Sequence, residues 1–397
     1  MRIYSASSEE TLRARKLLTD WVGDGFLTKE QYQLLEKDTV SELRTTNIFL
    51  RLVLFFFTMI VVGAGAALFF QVFLSRLDYQ TAGFFSMIFA AVCYGVAELA
   101  VSKGRLYRYG IEEALAVCSV GYLCVGLDGA FFLGRPYSPA ECLVPAFGAV
   151  FSLWTWRRFG FSYAFLAAMI FVIFLPGYWT SSREAQRLIV AGFYAIGLAG
   201  VAAVRSRHRY DYLDETYSLV EAMLWLGIYL AINLKILSLD LPGQRWIGTW
   251  DDSALFPRPF YWTTWVLTWC LPPIVMARGI RQKDRFVIAV GAIVAVLTLV
   301  TNKPYLGWVR HTWDPMLLGV LLTGVAVFIR RWLIRGPGGM RYGFTAARLS
   351  GKDQHWVNAG ATVTGLLSPQ PPAPQPSSPD FRFGGGNTGG GGAGGDF

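Results

Sequence analysis

Apolar runs long enough to cross a bilayer follow one another through most of this chain. A spanning helix needs roughly 20 apolar residues, and the bilayer core holds no water to hydrogen-bond exposed peptide groups. These runs predict an all-α fold, a polytopic transmembrane helical bundle with about ten spanning helices. The predicted spans are residues 48–74, 80–101, 113–133, 139–155, 160–179, 186–204, 217–238, 260–277, 286–302 and 315–335.

The distribution of Lys and Arg predicts which side of the membrane each loop faces. Numbered in chain order, the even loops hold twelve of these residues, and the odd loops hold eight spread over more residues. Because Lys and Arg are enriched in cytoplasmic loops, we expect the even loops and both termini in the cytoplasm. The net charge of +9 follows from this scatter over short loops, so we do not expect nucleic acid as a partner.

Composition divides the chain into three parts. Residues 1–47 are charged and mixed and are expected to form a cytoplasmic helical hairpin. Residues 48–335 form the transmembrane helical domain. Residues 336–397 are rich in Pro and Gly, which predicts a disordered cytoplasmic tail because such a segment buries too little apolar surface to offset its ordering entropy.

Two capping patterns define the hairpin. Ser7 with Glu10 is expected to cap its first helix, and Thr28 with Gln31 its second. Helices this short bury little core by themselves. We therefore expect the hairpin to pack on itself, on the cytoplasmic loops or on a protein partner, and the tail is a second candidate site for protein partners.

Four ionisable residues lie near the predicted cytoplasmic ends of helices one to three: Arg51, Glu98, Glu112 and Glu113. Charges at such a depth commonly reach the interface by snorkelling or form simple ion pairs. The sharper alternative is a cytoplasmic gate or a proton site. Their shared depth predicts that Arg51 pairs with one of the glutamates.

A second candidate site lies deeper in the predicted membrane. Asp128 lies about 20 Å along helix three from its cytoplasmic end, at 1.5 Å per residue. Lys235 lies at a comparable depth near the outer end of helix seven, two residues after Asn233. One hypothesis is an Asp128–Lys235 ion pair, because an unpaired charge is costly there. In the other, Lys235 snorkels outward and Asp128 faces water at the outer mouth.

Three further patterns have simpler explanations. A row of alanines at every fourth position between residues 191 and 203 permits close helix packing. The tryptophans of helix eight, followed by Pro272-Pro273, predict an interfacial anchor and a kink, with a broken helix beside a cavity as the alternative. The mixed charges of residues 205–215 predict a solvated loop.

Motifs that would indicate catalysis or a bound metal are scarce. The three histidines are far apart, and no zinc-protease, nucleophile-elbow or phosphate-loop motif is present. Asp251-Asp252 in the longest outer loop is weak evidence for a divalent cation because other ligands are lacking. The five cysteines all lie in apolar runs without Cys-x-x-Cys spacing. We predict no disulfide framework, metal, cofactor or catalytic residue, and the sequence leans away from an enzyme.

Two segments carry a resemblance to a known family. Residues 21–31 (WVGDGFLTKEQ) form a helix end at Trp, a Gly-containing turn and a Thr-x-x-Gln start, and residues 109–115 (YGIEEAL) form a Glu-containing entry to an early span. The chain resembles a large bacterial family of predicted polytopic membrane proteins of unknown function. The resemblance implies a bacterial inner-membrane location and covers about the first third of the chain. It implies no activity, so no functional residue is carried over.

Three classes of function remain open. The first is a non-enzymatic membrane scaffold or interaction protein, which the soluble ends favour. The second is a secondary transporter or channel for a small solute, which would use Asp128, Lys235 and a broken helix eight. The third is a membrane enzyme acting on a lipid-linked substrate, which would need Glu112 and Glu113, or Asp251 and Asp252, to meet at a groove.

Overall fold

The computed structural model describes residues 3–23, 25–39, 43–73, 78–132, 139–207, 214–236, 256–308, 311–337, 340–341 and 344–345. Helices dominate these ranges. They are α1 (Ala6–Gly23), α2 (Lys29–Asp38), α3 (Ile48–Phe73), α4 (Tyr79–Ser102), α5 (Ile111–Leu127), α6 (Leu143–Phe159), α7 (Ser162–Phe174), α8 (Arg183–Arg207), α9 (Asp214–Ile232), α10 (Arg258–Gln282), α11 (Arg285–Tyr305) and α12 (Asp314–Ile334).

Short irregular segments extend three of these helices. A π-helical turn, Asp128–Phe132, continues α5. Two 3₁₀ turns, Pro139–Cys142 and Leu175–Tyr178, precede α6 and follow α7. Two-residue strands β1 (Met340–Arg341) and β2 (Phe344–Thr345) pair antiparallel within the predicted tail. Residues 346–397, where most of the predicted disorder falls, lie outside the described residues.

The helices α3 to α12 follow the ten predicted segments in order, so the all-α class is confirmed. Within the described part of the chain, six are long and apolar enough to cross a membrane: α3, α4, α5 with its π turn, α8, α11 and α12. Among these, α3 and α12 bury almost none of their residues against protein. Helices that are apolar all round need a non-aqueous surrounding, and a bilayer supplies it. The fold is that of a multi-pass membrane protein.

Consecutive helices pack as pairs, and α4 with α5 is the tightest. A Cβ atom at Gly83 of α4 would lie 2.2 Å from the backbone nitrogen of Ala130. Gly126 of α5 likewise faces the α4 backbone, where its Cβ would lie 2.8 Å from the Met87 nitrogen. Small residues at both positions therefore allow the two backbones to touch, as glycine commonly does between membrane helices.

The two largest of four hydrophobic cores among the described residues join most of the helices. One gathers α4, α5 and the α6–α7 turn around Ala97 and Phe159, and the amino-terminal Tyr4 packs into it. The other joins α7, α8, α9, α10 and α11 around Tyr229 and Val294. In the predicted alanine row of α8, Ala191 packs against the second core, whereas the members at 195, 199 and 203 are exposed.

The helix α10 runs unbroken through Pro272 and Pro273, so the broken-helix alternative is wrong. Pro272 has no N–H to donate to the carbonyl of Thr268 one turn earlier. The Thr298 hydroxyl of α11 donates to that carbonyl instead, at 3.0 Å. A neighbouring helix therefore satisfies the acceptor that proline leaves open, which is how membrane helices tolerate proline.

One of the two predicted caps is present. Thr28 and Gln31 form the full capping box, with backbone-to-side-chain distances of 3.2 and 3.0 Å. The prediction for Ser7 is wrong, because α1 begins at Ala6 and the backbone N–H of Ser8 donates to the Ser5 hydroxyl at 3.2 Å. A serine two residues earlier has the same chemistry, and sequence spacing alone did not distinguish the two.

Candidate functional site

Arg51 and Glu113 form a two-pronged ion pair between the first turns of α3 and α5. The Arg51 Nε donates to Oε2 of Glu113 at 2.7 Å, and Nη2 donates to Oε1. Gly110 makes this meeting possible: its φ is +105°, and a Cβ there would lie 2.3 Å from the Arg51 carbonyl oxygen. The Glu113 carboxylate is almost fully buried. Parallel guanidinium–carboxylate bonds of this kind fix orientation as well as charge.

The other two glutamates of this set have different partners. Glu98 accepts from the Arg158 Nε at 2.7 Å, an ion pair between the ends of α4 and α6. Glu112 is fully buried, and its Oε1 accepts the backbone N–H of Tyr109 at 2.7 Å. Its Oε2 has no hydrogen-bond partner among the residues that the structure describes. The four predicted residues therefore fall into two ion pairs and one capping carboxylate.

Asp128 and Lys235 are not joined by an ion pair within the described ranges. Asp128 is exposed at the start of the π-helical turn. Lys235 is buried just beyond α9, and its Nζ lies 5.4 Å from the centre of the Tyr261 ring. The pairing hypothesis is thus replaced by a surface aspartate and a cation–π contact. Similar depth along two helices did not imply that the two side chains face each other.

Asn233 takes part in a hydrogen-bond network that joins α9 to α11. Its Nδ2 donates to the Tyr229 hydroxyl at 2.9 Å and to the Thr301 hydroxyl at 3.0 Å. The Tyr229 and Thr298 hydroxyls lie 2.9 Å apart, and Asn233 Oδ1 accepts the backbone N–H of Lys235. The polar groups of this network hydrogen-bond to one another. The network therefore holds α9 and α11 together and does not offer free polar groups to a solute.

The densest charge cluster lies where α8 and α10 end and α9 and α11 begin. Arg205 contacts three carboxylates: Asp214 at 2.8 Å, Glu221 at 2.8 Å and Asp284 at 2.6 Å. The Nε of Arg278 donates to the other oxygen of Glu221 at 2.6 Å. Glu221 is fully buried. The prediction of a solvated loop is therefore wrong for Arg205 and Asp214, while residues 208–213 lie outside the described residues.

Asp284 connects this cluster to the backbone of α11. It is the N-cap, accepting the N–H groups of Phe286 and Val287, and both its oxygens lie 2.6 Å from the Ser218 hydroxyl. Burial by itself would raise the pKa of Asp284, but the hydrogen bond from Ser218 and the charge of Arg205 hold that pKa below its ordinary value. Asp284 is therefore ionised at neutral pH and serves as a fixed counter-charge.

Glu221, Arg278 and Asp284 were not among the candidate site residues predicted from the sequence. A signal was present, because Asp214, Ser218 and Glu221 recur at helical spacing and so share one face of α9. Arg278 was counted only as one of the basic residues of a cytoplasmic loop, and Glu221 lies inside a predicted apolar span, so neither was recognised as part of a cluster.

No group of three metal-binding side chains occurs in the described ranges, and Asp251 and Asp252 lie outside them. Comparisons of the chain with protein-family models, with curated proteins and with solved structures found no match.

Proposed function

We propose that this protein is a ten-pass protein of a bacterial inner membrane, with both ends in the cytoplasm, that acts without catalysis by presenting its amino-terminal hairpin to a cytoplasmic protein. The six long apolar helices support the membrane location. The resemblance of residues 21–31 to the bacterial family supports a bacterial origin and an inner-membrane location. The remaining support comes from the contacts of the hairpin and the even loops.

The contacts among the even loops support the ten-pass arrangement. The N–H of Ile3 donates to the Arg158 carbonyl at 2.9 Å, and the N–H of Arg44 donates to the Arg105 carbonyl at 2.8 Å. The amino-terminal segment therefore lies beside both the α4–α5 connection (loop two) and the α6–α7 connection (loop four). Arg205 and Asp284 likewise join loops six and eight. Alternating passes through all of α3 to α11 bring these loops to the same face.

The observation that carries the proposal is a hairpin fixed at both ends with its apolar side chains exposed. Contacts of Tyr4 with Tyr107 at its start and of Arg44 with loop two at its end hold it to the membrane domain. Between these anchors, an ion pair of 2.6 Å joins Arg15 of α1 to Glu36 of α2. The exposed large apolar residues are Leu17, Trp21, Phe26, Leu34 and Leu35.

Charge favours a protein over a lipid surface as the partner of this hairpin. Residues 6–38 contain seven acidic and five basic residues. Helices that lie on anionic membranes are instead rich in Lys and Arg. Exposed aromatic side chains such as Trp21 and Phe26 are enriched at protein interfaces.

The structure offers no specific support for the two alternatives. A transporter was expected to use Asp128 and Lys235, which have separate environments, and a broken α10, which is continuous. A membrane enzyme was expected to bring Glu112 and Glu113, or Asp251 and Asp252, to a groove, and the two aspartates lie outside the described residues. Glu113 is instead held by Arg51 and Glu112 is fully buried.

Photo-crosslinking in cells tests the hairpin. A photoreactive residue is placed at Phe26 or at Leu34 of the full-length protein, and both positions are expected to crosslink to the same protein. Trp21→Glu is expected to reduce the yield of that crosslinked adduct about 30-fold, as loss of an interface hot spot does. Crosslinks from the exposed polar position Glu10 serve as the control. Adducts with lipid only, or an adduct that Trp21→Glu leaves unchanged, would contradict the proposal.

A further inference from the structure

A cleft of about 570 Å³ opens beside the Arg205 cluster, between the ends of α8 and α10 and the start of α9. Its lining combines carboxylates and cations. The charged residues are Arg205, Asp214, Glu221, Arg278, Arg281 and Lys283. In the proposed topology this cleft lies at the cytoplasmic headgroup level of the bilayer.

The carboxylates of this cluster already have cationic partners, because Asp214, Glu221 and Asp284 share the guanidinium groups of Arg205 and Arg278. Arg205 contacts both Asp214 and Glu221, and Glu221 also receives the Nε of Arg278. This leaves the two terminal amino groups of Arg278 without a hydrogen-bond partner in the described structure, and its side chain is 37% exposed. A guanidinium with free amino groups presents paired donors that match the oxygens of a phosphate.

Arg281 and Lys283 add two unneutralised charges to the rim. Both side chains are exposed, and neither is ion-paired in the described part of the chain. Lys283 caps α10 with a left-handed backbone, φ 55°, a conformation that glycine adopts with less strain. A cation at a helix end also complements the helix dipole. The dipole of one helix does not by itself explain why three cations surround one opening.

The surroundings of the cleft indicate the source of its ligand. Val204 and Ile280, next in sequence to the lining residues Arg205 and Arg281, are 39% and 43% exposed. Exposed apolar residues on the same two helix ends as the basic rim fit acyl chains next to a phosphate. We propose that the cleft binds the phosphate group of an anionic phospholipid of the cytoplasmic leaflet, through Arg278, Arg281 and Lys283. Basic pockets between helices on this side of membranes bind such headgroups.

Native mass spectrometry of the full-length protein in detergent tests this proposal, with phosphatidylglycerol as the probe and phosphatidylcholine for comparison. The double variant Arg281→Gln/Lys283→Gln removes the rim charges and leaves the buried cluster intact. Two charges near a lipid surface correspond to about a 30-fold loss of affinity for phosphatidylglycerol. Arg285→Gln is the matched control, because Arg285 is exposed on the same segment but contacts Glu215 outside the cleft.

The outcomes separate the lipid from other sources. Binding of phosphatidylglycerol that the double variant weakens and the control leaves unchanged would support the proposal. Equal binding by wild type and double variant, with equal melting temperatures, would overturn it. Equal displacement of the lipid by sn-glycerol 3-phosphate at the same concentration would overturn the lipid assignment in favour of a soluble phosphate ester. The lipid proposal rests on the proposed topology, but none of these readouts involves the hairpin, so its failure is distinguishable from failure of the hairpin proposal.

Discussion

Replacing Arg205 by methionine is expected to lower the free energy of unfolding by about 3–5 kcal/mol, the usual cost of removing one partner from a buried ion pair. Arg205 is the common partner of Asp214, Glu221 and Asp284. Methionine preserves the length and apolar bulk of the side chain, so the loss isolates the charge. Three carboxylates would then share the single remaining guanidinium of Arg278.

The measurement is unfolding of the purified protein in detergent, by heat or by denaturing surfactant. Arg285→Met is the control, because the Arg285–Glu215 pair joins neighbouring elements but is exposed, with side-chain exposures of 72% and 50%. Exposed pairs contribute about 0–1 kcal/mol. If both variants lose the same small amount, Arg205 does not hold the four helix ends together.

Gly83→Ala is expected to destabilise the protein by about 1–3 kcal/mol, the range found for overpacking a filled interior. The added Cβ would lie 2.2 Å from the backbone nitrogen of Ala130 and 2.6 Å from the carbonyl carbon of Gly129. Both contacts are with backbone, so no side chain can rotate away. The helices α4 and α5 must separate to admit one methyl group.

Gly95→Ala provides a matched control in the same helix. A Cβ at Gly95 meets no atom within 4 Å, and alanine is the better helix former. The unfolding experiment is therefore expected to show a loss for Gly83→Ala and little change, or a small gain, for Gly95→Ala. Equal effects of the two substitutions would mean that α4 and α5 do not pack at the distance seen here.

The helices were predictable because each depends on local sequence. An apolar run of about 20 residues has few ways to satisfy its peptide groups in lipid, and the capping box of Thr28 and Gln31 needs only residues three apart. The observed bounds differ from the predicted spans by a few residues, since polar residues such as Asp214 and Arg258 begin helices that continue into apolar runs.

The charge clusters were less predictable because they depend on how helices rotate against one another. Arg51 could be expected to pair with a nearby glutamate by depth, but only the close approach at Gly110 selects Glu113. Depth gave the wrong partners for Asp128 and Lys235. The sequence predicts that Asp214 and Glu221 share one face of α9. It does not predict that this face contacts Arg205 and Arg278, because that contact depends on how four helices pack together.

Reporter fusions at two positions test the central claim, the ten-pass arrangement, most directly. If only the six helices that are both long and apolar enough crossed the membrane, Gly160 would lie outside with the segment between α5 and α8, and Trp250 would lie inside with the segment between α8 and α11. The ten-pass account predicts the reverse at both positions. Alkaline phosphatase, active only outside, and a fluorescent protein, fluorescent only inside, are fused after each residue. Fluorescence at Gly160 with phosphatase activity at Trp250 is the predicted result, and the opposite pair of signals would contradict it.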